Sequence, residues 1–553
     1  MYIDESYAWL RGKRYKRTLL RESYRQDGKV KKRTRGNLSH CSEEEIAAIR
    51  FALGHKDNVK DLITEKQIRE EIKTKRGLSI GAIYVLYTMA SRVGIMKALG
   101  NSIMGKLALW QVMARIIDQG SRLSAVRLAS QHAVCDLMGL DTFNEDTLYE
   151  NLDWLYENQE KIEKRLFAIR YVGKAIPTLY LYDVTSSYLE GQMNELGQYG
   201  YNRDGKRGKK QIVIGLLTDE QGDPVSVEVF SGNTSDPSTF CNQINKLAYR
   251  FGIKDITMVG DRGMIKSCQI KELDEMKFHY ITAITKPQIQ TLIKERVIQL
   301  ELFSEKLCEV EYESIRYILR RNPLRAKEIA NNRMQKIEKI KSIARKENEY
   351  LAAHKGAKID TSLKKIRAVI GKLKVKEFCN VSAQERAVCI EIDQQAKEDM
   401  AMLDGCYVIK TNVNSDKASA QIIHDRYKDL AHIEQGFRTM KTVLLETRPI
   451  NVRKAERTKA HVFVVMLAYI ISRQLKKLWV TINLTVQEAI NELASISSDE
   501  IKVGTISYQS IQEPRDLGKQ LLEACNISLP AALPFKNVTV ATRKKLMSQR
   551  KSK

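Results

Sequence analysis

Three carboxylates stand where residue type and placement could do chemistry. Asp183 follows the apolar run Thr178-Leu-Tyr-Leu-Tyr182, at the end of what reads as a β-strand, and leads into Val184-Thr185-Ser186. A carboxylate beside a buried strand is costly unless something compensates it. Asp261 repeats the arrangement after Ile256–Val259. There Gly260 and Gly263 offer a tight turn that exposes the acid at the strand's carboxyl edge, where α/β sheets carry their sites. Glu434 lies in the helical segment His432-Ile-Glu-Gln-Gly-Phe-Arg438. Any one of these acids alone reads as a cap or a surface charge. Two strand-end Asp and a helical Glu in a basic chain read together as a hard-cation site. Two Mg²⁺ ions, for which Mn²⁺ can substitute, held about 3.5–4 Å apart by such oxygens activate a water or a 3′-hydroxyl and stabilise the leaving oxygen of a phosphodiester. No His/Cys set with zinc spacing competes, and lone histidines such as His461 read as structural or as phosphate contacts.

The helix around Glu434 adds to this reading. Tyr427 lies seven residues before it and Lys441 seven after, so the three share one face within about 20° of drift per seven residues. A Tyr, a ligand Glu and a Lys on one stripe would set phosphate-binding groups beside the metals. Arg438, four residues beyond Glu434, serves equally as a neighbour of the site or as an intrahelical ion pair.

The elements that must position these residues can be read along the chain. Residues 1–75 form a small basic module, with 13 Lys and Arg against 7 Asp and Glu in the first 50. Tyr15–Tyr24 and Lys29–Asn37 around Asp27-Gly28 predict a hairpin, and Ser42 with Glu45 predicts a capped helix. This module suits DNA contact, and equally a solvated surface. Residues 76–172 show helical periodicity with few breakers, an all-helical domain. From Pro177 the texture turns to strands at Thr178–Val184, Gln211–Leu217 and Val225–Phe230. A helix from Asp236 to Arg250, a strand at Ile256–Val259, a helix at Ser267–Lys277 and a strand at His279–Ile284 follow. Residues 289–401 read as an inserted domain. Its stretch 324–374 carries 15 Lys and Arg against 5 Asp and Glu, either a solvated hairpin or a DNA-facing one. The α/β texture resumes over 402–482, with a strand at Gly405–Thr411, a helical run from Ala418 to Leu445, Arg448-Pro449 and a very apolar helix from Lys459 to Leu478. Residues 483–553 form a C-terminal region whose last eleven residues, six basic and none acidic, read as a flexible tail.

Charge and composition bound the function. The 553 residues include 92 Lys and Arg against 67 Asp and Glu, a formal net charge of +25. That makes a polyanion, nucleic acid first, the default partner; the bland reading is a soluble protein that happens to be basic. Hydrophobic residues at 43% exclude wholesale disorder. Nine scattered Cys with no Cys-x-x-Cys indicate neither a disulfide framework nor a zinc ribbon, so a reducing, cytosolic setting is expected. The charged start carries no signal-peptide run, and Val462–Ile471, at ten residues, is too short to cross a bilayer.

With the order Asp, Asp, Glu on first strand, fourth strand and late helix, the chain resembles the DDE transposases of bacterial insertion sequences, in the group named after insertion sequence four. The residues that carry the likeness are YDVTSSY (182–188), GDRGM (260–264) and YKDLAHIEQGFRTMKTVLLETRPI (427–450). The group's signature Tyr-x2-Arg-x3-Glu-x6-Lys reads here as Tyr427, Leu430, Glu434 and Lys441, with Leu in the Arg position; Arg426 or Arg438 is the candidate substitute. The 173-residue gap from Asp261 to Glu434 matches the group's inserted domain. The resemblance implies an RNase H-like (retroviral-integrase-like) mixed-sheet α/β core over 173–288 and 402–482, interrupted by the insertion and preceded by the basic α+β module and the helical domain. It implies that Asp183, Asp261 and Glu434 hold two Mg²⁺, that Tyr427 and Lys441 steady phosphates, and that Arg438 and Arg262 contact DNA. The activity implied is cleavage at the terminal inverted repeats of a mobile element and joining of its 3′-hydroxyl ends to target double-stranded DNA. It would be carried out by at least a homodimer on paired ends, in the cytoplasm at the nucleoid and with no membrane. A catalytically inactive DNA-binding derivative and a general RNase H-like metal nuclease are the competing readings.

Overall fold

The computed structural model describes residues 1–10, 12–56, 72–206, 208–447, 450–503, 506–533, 538 and 540–542. The basic tail expected over 543–553 and the Arg448-Pro449 pair lie outside the described residues. The chain divides into two compact units, residues 1–80 with 496–513 and 529–535, and the remainder.

In the smaller unit, β1 (Tyr2–Leu10), β2 (Lys13–Gln26) and β3 (Lys29–Asn37) form an antiparallel sheet in that order. Asp27 and Gly28 both take positive φ (53° and 73°), the twist of a two-residue hairpin turn. The hairpin is as expected; β1, whose YIDESYAWL run does not alternate, adds a third strand. The Ser42 hydroxyl accepts from the Glu45 amide (3.2 Å) and the Glu45 carboxylate accepts from the Ser42 amide (2.7 Å), a capping box that starts the helix Glu43–Gly54. A second sheet pairs β4 (Ile72–Ser79) with β15 (Ser497–Val503), and β15 with β16 (Ile506–Ile511). Part of the C-terminal region is therefore built into a sheet with residues more than 400 positions earlier, a pairing that local patterning does not carry.

The larger unit begins with six helices between Gly81 and Arg170. The stripes Ile83, Leu86, Ala90 and Leu107, Leu109, Val112, Ile116 form their buried faces. An eight-stranded sheet follows. Its strands are β5 (Leu179–Tyr188), β6 (Gln211–Asp219), β7 (Pro224–Ser231), β8 (Thr257–Gly260), β9 (His279–Ala283), β10 (Cys308–Tyr312), β11 (Ile315–Arg321) and β14 (Cys406–Thr411), in the order β10-β11-β14-β9-β8-β5-β6-β7. β5, β6 and β7 form an antiparallel meander, whereas β8 and β9 run parallel to β5. This is the RNase H-like mixed sheet. β11 pairs with β14 and β14 with β9, all antiparallel. The β10–β11 hairpin, which patterning places in the inserted segment, thus extends the main sheet. The rest of that segment has its own core. The helices Pro323–Ala353 and Ile359–Leu373 pack through Ile337, Ile340 and Ile366 onto the hairpin β12 (Cys379–Gln384) and β13 (Ala387–Ile392), with Phe378 beneath.

The helix Ala455–Leu478 packs against the helices Ile103–Ile117 and Glu145–Arg170 and against β7. Val462 to Ile471 are all buried, because a helix covered on all faces has no polar side to show. Among the described residues no helix is long and apolar enough to cross a membrane.

Candidate active site

The parallel ladder between β5 and β8 ends at the pair Tyr182–Gly260. Asp183 and Asp261 are the next residues on each side, so both acids stand where the two backbones stop pairing and a cleft can open. Asp183 is not the end of its strand, as patterning suggests. β6 stays paired with β5 to Tyr188, with Asp183 opposite Leu216, so only one of its two ladders stops there.

Beyond β8 the chain turns through Arg262 and Gly263, and the Arg262 amide donates to Asp261 Oδ1 (2.7 Å). The Arg262 side chain is exposed. Glu434 is carried by the helix Leu430–Arg438, anchored through buried Ile433 and Phe437. Gly436 lets that helix approach closely: a Cβ there would lie 3.3 Å from the Tyr469 ring and 3.4 Å from Leu216. Asp183, Asp261 and Glu434 line one cavity of about 300 Å³, together with Asp236, Arg203 and Thr185. Burial pushes the Asp183 carboxyl up to about 7, and the charge of Asp261 adds to this, while the Val184 amide (2.7 Å) and Arg203 oppose it.

The run from Ala418 is not one straight helix. Ala420–Lys428 meets Leu430–Arg438 at Asp429, and a π turn follows at Thr439–Val443. Wide turns of this kind recur at functional sites. The Tyr427 hydroxyl donates to Asp261 Oδ1 (3.3 Å), and its pKa is raised by burial and then by that acid. Lys441, in the π turn, donates to the Ser186 carbonyl (2.6 Å) and the Thr185 hydroxyl (3.0 Å) and pairs with Asp204 (2.6 Å). Tyr427, Glu434 and Lys441 therefore reach one region through a jointed segment, with the Tyr and Lys already engaged by carboxylates. Arg438 is exposed at the end of its helix. Arg426 pairs with Glu220 (3.6 Å) and Asp429 (3.3 Å), one turn before Leu430. His461 is buried, with Nδ1 2.7 Å from Arg122 Nη2 and Nε2 3.3 Å from the Thr447 carbonyl, a structural placement.

Two residues of the cavity escape a reading by pattern. Asp236 looks like a helix opener before Pro237, which it also is. Arg203 sits in the Gly- and charge-rich connection 200–210, where nothing local distinguishes it from its basic neighbours. In the structure its guanidinium donates to both Asp236 oxygens (2.7 and 2.5 Å). The all-oxygen donor set fits a hard divalent cation. Among the described residues no three His, Cys, Asp or Glu side chains are gathered into a closed ligand group.

A mixed sheet of this order with acids at the β5–β8 ladder end defines an RNase H-like protein. Residues 175–471 match the transposase DDE domain, and residues 10–72 match the N-terminal domain of IS1634 family transposases. The chain belongs to the DDE-domain transposase family. No curated protein matches it. Solved structures similar to it include the piggyBac transposase synaptic complex with hairpin DNA (9% identity, TM-score 0.34, covering 70% of this chain and 69% of that one). Another is the Mos1 transposase paired-end complex with the left transposon end (11% identity, TM-score 0.14, covering 30% and 58%).

Proposed function

We propose that this protein is an insertion-sequence DNA transposase that binds terminal inverted repeats, cleaves element ends and joins their 3′-hydroxyls to target DNA. The observation that carries the reading is the convergence of Asp183, Asp261 and Glu434 on one cavity from β5, the β8 turn and the Leu430–Arg438 helix. Those three carboxylates would hold divalent cations, Mg²⁺ with Mn²⁺ as substitute. When bound, a pair of such ions supplies an activated water or 3′-hydroxyl and a stabilised leaving oxygen. Lys441 and Tyr427 would then exchange Asp204 and Asp261 for phosphate oxygens, because a phosphate entering beside a bound cation replaces the carboxylate charge they now satisfy. Arg438 and Arg262, both exposed, would contact the backbone on either side.

The excess of basic residues in 1–50 and 324–374 supplies sequence-independent affinity for DNA, and end pairing calls for at least a dimer. The setting is the cytoplasm, at the nucleoid. In a gel assay with DNA from the flanks of the coding region, Glu434→Gln abolishes Mg²⁺-dependent nicking while the bound band persists. Full nicking by that variant would overturn the reading.

A further inference from the structure

The inserted segment meets the main sheet at a second cavity, of about 250 Å³, that the carboxylate chemistry does not use. Asp404, in the turn before β14, and Arg333, on the helix Pro323–Ala353, both line it. Their side chains are 5% and 9% exposed and pair at 2.5 Å. The turn itself is fixed. Arg321 Nε donates to the Asp404 carbonyl (3.3 Å), and the Asn322 amide donates to the Gly405 carbonyl (2.8 Å). Lys286, at the start of the helix Lys286–Lys294 beyond β9, reaches the same Asp404 carboxylate (3.4 Å). One acid thus serves two cations. Lys336 and Lys374 add two more to the lining, and among the described residues Asp404 is the cavity's one acid.

These cations are placed rather than scattered. Asn332, Arg333 and Lys336 stand three and four residues apart and share one face of their helix. Lys374 ends the helix Ile359–Leu373 at φ 55° and ψ 48°, the left-handed region where glycine is the usual residue. A side chain is strained there, yet this one is kept, and it lines the cavity. Buried Val375 and Phe378 make part of the lining apolar, which thins the water and strengthens each charge. An excess of cations, a guanidinium and an amide suit a compact anion with several acceptor oxygens. Duplex DNA is too stiff to carry a backbone phosphate into such a cavity as far as Arg333; a free anion is not so limited. We propose that this cavity binds a free phosphate group, as inorganic phosphate or a small phosphate monoester, paired with Arg333, Lys336 and Lys374. The bound anion ties both long helices of the inserted domain to the turn before β14 and to the helix after β9. It would brace the insertion against the sheet. The site goes beyond the transposase reading and does not rest on it.

The test follows the thermal midpoint of the full chain against inorganic phosphate, with chloride holding the ionic strength constant. Phosphate should raise the wild-type midpoint as it binds the folded state. Lys374→Gly removes one cation and relieves the strained φ, so its midpoint without phosphate should stay near that of wild type. It should need about tenfold more phosphate for the same rise, the loss expected for one charge-assisted hydrogen bond. Lys336→Gln should show the same displacement, and it carries the test if the glycine variant folds poorly. Lys346→Gln, exposed on the same helix, should follow wild type. Glycerol 3-phosphate, titrated in the same way, identifies a monoester as the ligand if it acts at lower concentration, and the free ion if it acts at higher. A phosphate response no larger than that of chloride, or one equal in wild type and both cavity variants, would overturn the site. So would a loss of affinity for a labelled duplex in those variants with the phosphate response unchanged, since that would assign the lysines to the DNA backbone.

Discussion

Two carboxylates of the larger unit, Glu163 buried and Asp183 half-buried, differ in how fully the fold satisfies them. Glu163, whose side chain is wholly buried, accepts from Arg250 (2.6 Å), from the Ser226 hydroxyl (3.0 Å to each oxygen) and from Gln159 (2.9 Å). It is saturated by groups from β7 and two helices, and it fastens the helix Glu145–Arg170 to the sheet. Asp183 sits in the sheet itself, on β5, two strands in from the β7 that Glu163 contacts, and accepts from the amide of its own neighbour, Val184. Its cavity also holds Asp236, Asp261 and Glu434, with Arg203 committed to Asp236. The first acid is satisfied by the fold; the second has a single backbone donor and acidic neighbours, the condition expected of a carboxylate suited to chemistry rather than support.

Removing each acid should separate the two roles. Asp183→Asn should lower end cleavage by a factor on the order of 10³ or more and leave the urea midpoint equal to or above that of wild type, since it deletes an uncompensated charge. A midpoint well below wild type would make Asp183 a structural acid after all. Glu163→Ala should do the opposite. It leaves Arg250 without its buried partner and should cost about 3 kcal/mol in urea unfolding, while cleavage per folded molecule is retained. A further effect is in pH. The Asp183 pKa is raised to about 7 in the folded protein, above its unfolded value of about 4. Between those values the folded state holds a proton that the unfolded state has lost, so stability without metal falls as pH rises from about 4 to about 7, then levels. Asp183→Asn lacks this term, so its stability advantage over wild type should widen across that window in metal-free urea titrations. A constant difference would place Asp183 in a more solvated setting than the cavity.

Much of the fold is legible locally. The capping box at Ser42, the hairpin at Asp27-Gly28, the runs that become β5 to β9 and the covered helix Ala455–Leu478 each rest on alternation, capping or apolar content within about 20 residues. The two strand-end acids stand out for the same reason, because a carboxylate beside an apolar run violates a local rule. Arg203 and Asp236 violate none. One is a basic residue in a basic loop and the other an acid where helices favour one; they join the site only because the β5–β6 connection and the helix Asp236–Asn245 end at the same cavity. Nothing in the structure explains Leu430; Arg426, one turn earlier, pairs with Glu220 and Asp429.

Residue order alone thus determines the excess of positive charge and, from the cost of placing a side chain against its near neighbours, the local elements and the candidate acids. Tertiary structure decides the rest. It ends the β5–β8 ladder at Tyr182–Gly260, ties Lys441 to Asp204 and Tyr427 to Asp261, sets Arg203 between Tyr201 and Asp236, and pairs β4 with β15 across more than 400 residues. These are contacts between distant segments, fixed by strand register and the exclusion of water, and no window along the chain contains both partners.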